Sequence, residues 1–151
     1  MKNVTISPTL QSDAPAIEVL LKQANLPSQD FADHLDHFFT ARDGERIIGA
    51  VGLENHNHTG LFRSLVVDPA FRGQELGQRL AATLIEYARS SGLEELFLLT
   101  TTAADFFPRF GFEPTQREAA PSEIQATKEF SSICPSTAVC MVLRLKTEDQ
   151  Q

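Results

Sequence analysis

Val4 and Ile6 alternate with polar neighbours ahead of Pro8, the two-residue period of a short strand closed by a turn. The spacing then changes. After Ser12, Asp13 and Pro15, the residues Ile17, Leu20, Leu21 and Ala24 share one helical face until Asn25 and Pro27 stop it, with proline placed where a helix can accept it. A shorter helix carrying Phe31 and Leu35 is expected over 29–36. Phe38, Phe39 and Ala41 lead into Asp43-Gly44, and Ile47, Ile48, Ala50, Val51 and Leu53 lead away, which predicts an antiparallel hairpin whose turn needs positive φ. NHNHTG at 55–60 forms the next turn, and GLFRSLVVDP is a third long strand ending at Pro69. Leu76, Leu80, Leu84 and Ala88, widened by Ala81 and Ile85, predict an amphipathic helix from Glu75 to Arg89, ended by Gly92. LEELFLLTT reads as a strand with its apolar half buried on both faces, and ADFFPRF as a short helix. Gly111-Phe112 opens another strand, Ser122 starts a further helix, and STAVCMVLRL is a final strand with Val139, Met141 and Leu143 on one face.

Antiparallel strands come first and one strand-helix-strand unit comes after them, which predicts a mixed α/β sheet rather than a doubly wound one. The 151 residues suit one domain, taken as 1–145, with KTEDQQ at 146–151 as a mobile tail. A hydrophobic content of 42% with 22% charged residues fits an ordinary globular protein. No apolar run approaches the ~20 residues of a membrane span. The N-terminus MKNVTISPTL lacks the apolar stretch of a signal peptide, so a cytoplasmic protein without membrane association is expected. A net charge of −7 with scattered Lys and Arg argues against nucleic acid. Cys134 and Cys140 cannot form a disulfide framework and are expected as thiols.

Acidity changes how an anionic ligand could be held. Long-range attraction is weak, so any such site depends on backbone donors and a few local cations. One stretch offers them: a strand ends at Val67-Asp68-Pro69, and Arg72-Gly73-Gln74-Glu75-Leu76-Gly77-Gln78 leads straight into the long helix. Unpaired N–H groups and the helix dipole make that N-terminus an anion site. The stretch is neither G-x-G-x-x-G nor Gly-Lys-Ser/Thr, so dinucleotide and P-loop readings do not apply. A glycine-containing connection that holds no ligand is the alternative.

LFRSLVVDPAFRGQELGQRL, followed by LEELFLLTT and ADFFPRFGF, resembles the acetyl-CoA-binding half of the GNAT superfamily of N-acetyltransferases, whose signature is Arg/Gln-x-x-Gly-x-Gly/Ala. The resemblance implies a mixed, mostly antiparallel central sheet of six to seven strands flanked by about four helices. Arg72 takes the first signature position, Glu75 the place of the first glycine and Gly77 the last. The amides of 73–78, with Arg72, would hold the pyrophosphate of CoA. The main chain of Leu65, Val66 and Val67 would line the pantetheine arm and orient the acetyl carbonyl. Glu75 is the departure from the signature, and its Cβ is accommodated if the residue has helical φ/ψ within the first turn. GLEN, LFRSL and TTTAADFF are similar to small acetyltransferases associated with arsenic-resistance operons, and these to the acetyltransferase domain of N-acetylglutamate synthases. The resemblance thus implies acetyl-CoA as co-substrate, no metal, and a primary amine of an amino acid or analogue as acceptor.

Amine acetylation needs a base for the nucleophile and stabilisation of the leaving thiolate. Many GNAT members place a Tyr four residues before the Gly-Phe pair, where this chain has Phe107, and its one tyrosine, Tyr87, reads as packing. Glu54, with His56 beside it, is the candidate base, against a solvated strand end. Arg63 interrupts an apolar strand next to Ser64, so it is read as holding an acceptor carboxylate, or as pairing with an acid such as Glu54. Thr100 and Thr101 either bond the pantetheine or acceptor or cap the following helix. His34, His37, His56 and His58 lack a third ligand at a fixed spacing, so no metal is expected. Two further readings stand beside the enzyme: a GNAT-fold module that binds CoA or a metabolite without catalysis, and an arsenical-binding protein using Cys134 and Cys140. STAVCMVLRL also offers an edge through which a homodimer would pair.

Overall fold

The structure is a computed structural model that describes residues 4–73, 75–133 and 138–145. Seven strands hydrogen-bond in the order β1-β2-β3-β4-β5-β7-β6: β1 Val4–Pro8, β2 Phe38–Asp43, β3 Arg46–His56, β4 Thr59–Val67, β5 Glu95–Thr100, β6 Glu113–Thr115 and β7 Val139–Arg144. Three α-helices lie among the described residues, α1 Ala14–Gln23, α2 Leu76–Ser90 and α3 Ser122–Gln125. The element order matches the hydrophobic pattern closely, and the mixed sheet is the one expected. Contacts divide the chain into two compact units, one of residues up to Leu53 with Arg63–Glu86, the other of Glu54–Phe62 with residues from Tyr87 onward.

In the first unit β1 runs antiparallel to β2, and β2 antiparallel to β3 through a turn at Gly44, φ +65°. That is the Asp-Gly turn read from the sequence. The register slips between Ala41 and Arg42, and Arg42 bonds the buried Asp13, whose carboxylate also accepts the Leu10 N–H at the start of the α1 segment. α1 buries Ile17, Leu20 and Leu21 against Phe31, Leu35, Phe38, Ala50 and Val66. The segment at 29–36 is a 3-10 helix, Phe31–His37, with non-helical backbone at His34. It is still enough to turn Phe31 and Leu35 inward, as the spacing required. Gly49 and Gly52 are what let β3 be covered so closely. A Cβ at Gly49 would meet Leu80 at 2.9 Å and the Val66 carbonyl at 3.0 Å, and one at Gly52 would meet the Phe38 ring at 2.2 Å.

In the second unit Thr59–Leu61 of β4 runs parallel to Glu95–Phe97 of β5, and β7 pairs antiparallel with β5 and β6. Leu61, Phe97, Ala120, Ile124, Phe130 and Cys140 form its core cluster. A second group is wholly aromatic: Phe62, Phe107 and Phe112 meet edge to face at 5.4–5.9 Å, and Phe106 joins through Phe107. Two expectations change here. β7 lies between β5 and β6, so both of its edges are paired and it cannot supply the open edge imagined for a homodimer. Its burial also departs from simple alternation, because Val139 is exposed while the adjacent Cys140 and Met141 are both buried. Cys134 and the tail at 146–151 lie outside the described residues.

Phe38 is 1% exposed, so its ring has nowhere to retreat. Gly52→Ala should therefore lower stability by about 1–3 kcal/mol, as overpacked cores do, measured by urea unfolding; an unchanged midpoint would contradict the packing described.

Candidate functional site

β4 carries the first element of the site. Its residues Leu61, Phe62, Arg63 and Ser64 are all buried, which a simple in-out alternation does not give. A strand covered on both faces does, and β3 is buried at consecutive positions in the same way; what sets β4 apart is the backbone, for Ser64 has φ +63°. A left-handed residue inside a strand costs an L-amino acid about 1–2 kcal/mol and bends the chain as a bulge does. Arg63 Nε donates to Ser64 Oγ at 3.0 Å, and its two terminal nitrogens donate to Asp30 Oδ2 at 3.0 Å and Oδ1 at 2.7 Å. This is the two-pronged guanidinium–carboxylate geometry, with Arg63 and Asp30 side chains 0% and 4% exposed. Burial pushes the Asp30 carboxyl up, but the hydrogen bonds and charge of Arg63, with His34 adding, outweigh it and hold it below the ordinary value. Stranding either member would cost about 3–5 kcal/mol.

Of the two sequence readings of Arg63, the pairing with an acid is met by Asp30, 33 residues upstream. Asp30 had no chemical signal of its own, since it reads as a polar residue at the start of a short helix. Beyond Ser64, Leu65 and Val67 are half-buried and Val66 is buried against α1. Thr59–Leu61 of β4 pairs with Glu95–Phe97 of β5, and the two strands run on to Val67 and Thr100.

The turn after β4 is fixed on several sides. Asp68 N–H donates to the Ile48 carbonyl at 2.7 Å, and the Asp68 carboxylate accepts from the Ala70 N–H and from Arg46 at 2.9 Å each. The Ala70 N–H first, and then Arg46 and Arg72, hold that carboxyl below its usual value against a smaller upward push from burial. Arg46 also lies over the Phe71 ring, 5.5 Å from its centroid. Arg72 is exposed and donates from Nε to the Val67 carbonyl at 3.3 Å. Gly73 comes next with φ +81° and open space where a Cβ would stand; Gln74 lies outside the described residues.

Glu75 then takes φ +67°. The sequence expectation was a helical residue in the first turn, and that is not what occurs: Glu75 is the left-handed residue before α2, and its carbonyl accepts the Arg79 N–H at 3.1 Å. This explains physically why the family pattern has glycine there, since glycine alone takes that conformation without cost. The Glu75 side chain is exposed. α2 begins at Leu76, which is buried, with Gly77 and Gln78 half-buried. Their amides belong to the first helical turn, whose N–H groups have no acceptor within the helix. Unpaired N–H groups of this kind are what a helix N-terminus offers to an anion.

The second unit holds the acid–base candidates. Glu54 is 2% exposed, so it is no solvated strand end. His56, two residues on and hence on the same side of β3, brings Nε2 to 3.2 Å from Glu54 Oε1 and remains partly open to solvent. His58 is exposed, and its carbonyl serves β-structure by accepting the Glu94 N–H. Thr100 Oγ1 accepts the Ala103 N–H at 3.0 Å and so closes the turn after β5, and Thr101 is exposed; the helix read at 103–109 is a 3-10 turn at Phe107–Phe110 whose N-cap, Phe106, makes no side-chain bond, so neither threonine caps it. Phe107 is buried in the aromatic group. Burial pushes the Cys140 thiol up to about 11.

Comparison with known proteins bears on this arrangement. An amino-acid acetyltransferase from Edwardsiella ictaluri is 34% identical over 67 residues, 44% of this chain and 15% of its own length. The chain thus spans a small fraction of the curated relatives it matches. Among solved structures, N-acetylglutamate synthase from Neisseria gonorrhoeae, complexed with coenzyme A and N-acetyl-glutamate, superposes with a TM-score of 0.82 at 24% identity, over 95% of this chain and 35% of that one. Rv2747 from Mycobacterium tuberculosis, in complex with CoA, gives 0.80 at 23% identity over 94% of this chain and 99% of that one. These likenesses show the fold. The family itself is shown by residues 7–112, which match the acetyltransferase (GNAT) family, and the chain belongs to it.

Proposed function

We propose that the chain transfers the acetyl group of acetyl-CoA to the primary amine of a small molecule, an amino acid or analogue. The observation that carries this is the left-handed Gly73 and Glu75 on either side of Gln74, delivering the chain from an anchored strand end into the first amides of α2. The N–H groups of a first helical turn have no acceptor within the helix, which suits the diphosphate of CoA. The amino-acid class of acceptor is supported by the amino-acid acetyltransferase relative and by the N-acetyl-glutamate held in the Neisseria structure.

Acetyl-CoA, when bound, supplies an acetyl group activated as a thioester. Arg72 and the amides of 73–78 would hold its diphosphate, and the main chain of Leu65–Val67 would orient the thioester arm. Glu54 and His56 form the acid–base pair. With the proton on Nε2, His56 donates to the Glu54 carboxylate and leaves Nδ1 free of a proton, so the imidazole can take the amine's proton while the buried carboxylate stabilises the cation formed. Phe107 provides no hydroxyl for the departing thiolate. A thiol with an ordinary pKa of ~8.5 is a tolerable leaving group at neutral pH without one. Thr100 is engaged by the Ala103 N–H, and Thr101 is the more accessible candidate for the acceptor.

Phe107 also favours a second reading, a GNAT module that binds CoA or a metabolite without turnover. The arsenic association rests on resemblance alone, and Cys140, inside a core cluster with its thiol strongly disfavoured from ionising, is ill suited to hold trivalent arsenic.

Thiol release from acetyl-CoA across a panel of amino acids separates the two readings, since the non-catalytic module releases none. Glu54→Gln should lower kcat/KM by about 100-fold or more while leaving acetyl-CoA affinity by calorimetry within a factor of about two; equal losses in both would remove Glu54 from the chemistry. Glu75 gives a separate test. Glycine there relieves the left-handed strain, about 1–2 kcal/mol, and loses the favourable acid at the helix N-terminus, about 0.3–1 kcal/mol, so the second effect offsets only part of the first in the empty protein. Against bound diphosphate the carboxylate only repels. Glu75→Gln and Glu75→Gly should therefore both tighten acetyl-CoA binding by about three-fold, equivalent to ~0.6 kcal/mol; weaker binding in both would show that the acid helps.

A further inference from the structure

We infer that Asp30 and Arg63 are positioning residues: their buried pair clamps Ser64 in its left-handed conformation and thereby sets the path of the Leu65–Val67 main chain. The kinetic meaning of that path rests on the acetyl-transfer reading. The clamp itself rests on geometry alone.

Three features converge. Ser64 is one of four non-glycine residues with positive φ among the described residues, and the one that lies inside a strand rather than in a turn or at a helix end. Its Oγ is bonded by Arg63 Nε, and the same guanidinium is bonded at both terminal nitrogens by Asp30. One planar group thus ties the side chain at the bend to an acid 33 residues upstream. A serine released from such contacts would be expected to relax to the extended backbone of the surrounding strand, because the left-handed state is the costlier one for any residue with a Cβ. Relaxation would flip the alternation beyond it, and Val66 would lose its place against Phe38 and α1.

A lysine keeps the charge of Arg63 but cannot make the planar two-pronged contact together with the Ser64 bond. Arg63→Lys thus breaks the clamp while leaving Asp30 a counter-ion, and the fold should persist. Two readouts apply. In the free protein, the Cα and Cβ chemical shifts of Ser64 should move from left-handed toward extended values. Calorimetry should show acetyl-CoA affinity falling on the order of ten-fold, the scale on which small misplacements of a binding group are felt. Adding Ser64→Gly restores the bend without help from Arg63, since glycine takes φ +63° freely, and should return affinity to within about two-fold of the wild type. Asp30→Asn, which keeps the shape and removes the charge, should shift Ser64 in the same direction.

Unchanged Ser64 shifts in Arg63→Lys would overturn the clamp, as would a loss of affinity that Ser64→Gly fails to recover. An Arg63→Lys protein with normal shifts and altered dependence on the amine alone would return Arg63 to a direct role with the acceptor. If the wild type does not bind acetyl-CoA, the functional reading fails, and the shifts of Ser64 in the free variants still decide the clamp.

Discussion

A serine held at φ +63° inside a strand is the constraint on which the rest of this site depends. Strand hydrogen bonding alone would draw Ser64 straight. The Arg63 guanidinium opposes that by bonding Ser64 Oγ and the Asp30 carboxylate from one rigid plane, in a setting where neither charge can be relieved by water. The interaction is short of neither donors nor acceptors, and its cost in desolvation is recovered by geometry rather than by charge alone. The residues beyond Ser64 inherit the direction set there: Val66 turns into the core, Val67 offers its carbonyl to Arg72, and Asp68 is fixed by Ile48, Ala70 and Arg46.

The same logic governs the turn into α2. Gly73 and Glu75 are both left-handed. Glycine does this without cost, and glutamate does not. The chain therefore carries local strain at a position where an acid also suits the bare end of a helix. These opposing effects explain how a residue foreign to the family signature can be kept without disturbing the helix behind it.

Much of the architecture was legible because it rests on local rules. Asp43-Gly44 between apolar runs gave the hairpin, Pro15 and Gly92 bracketed helices, and the i, i+4 leucines of α2 gave its buried face. Arg63 could be singled out because a cation in an apolar strand demands an anion. Its partner could not, because the pairing of Asp30 with Arg63 is a tertiary fact across 33 residues with no periodic trace. The left-handed states of Ser64 and Glu75 were hidden for a related reason, since neither residue type announces positive φ as glycine or asparagine does. The place of β7 between β5 and β6 was equally invisible, because strand order is set by long-range pairing and not by the residues of the strand itself.

Hydrogen–deuterium exchange in the presence and absence of acetyl-CoA tests the central claim most directly, namely that the bend at Ser64 and the turn into α2 together form the seat of CoA. Slowed exchange concentrated in peptides covering 64–80, with those over α1 and β1 little changed, is the expected result. Binding accompanied by protection elsewhere and none at 64–80 would contradict it.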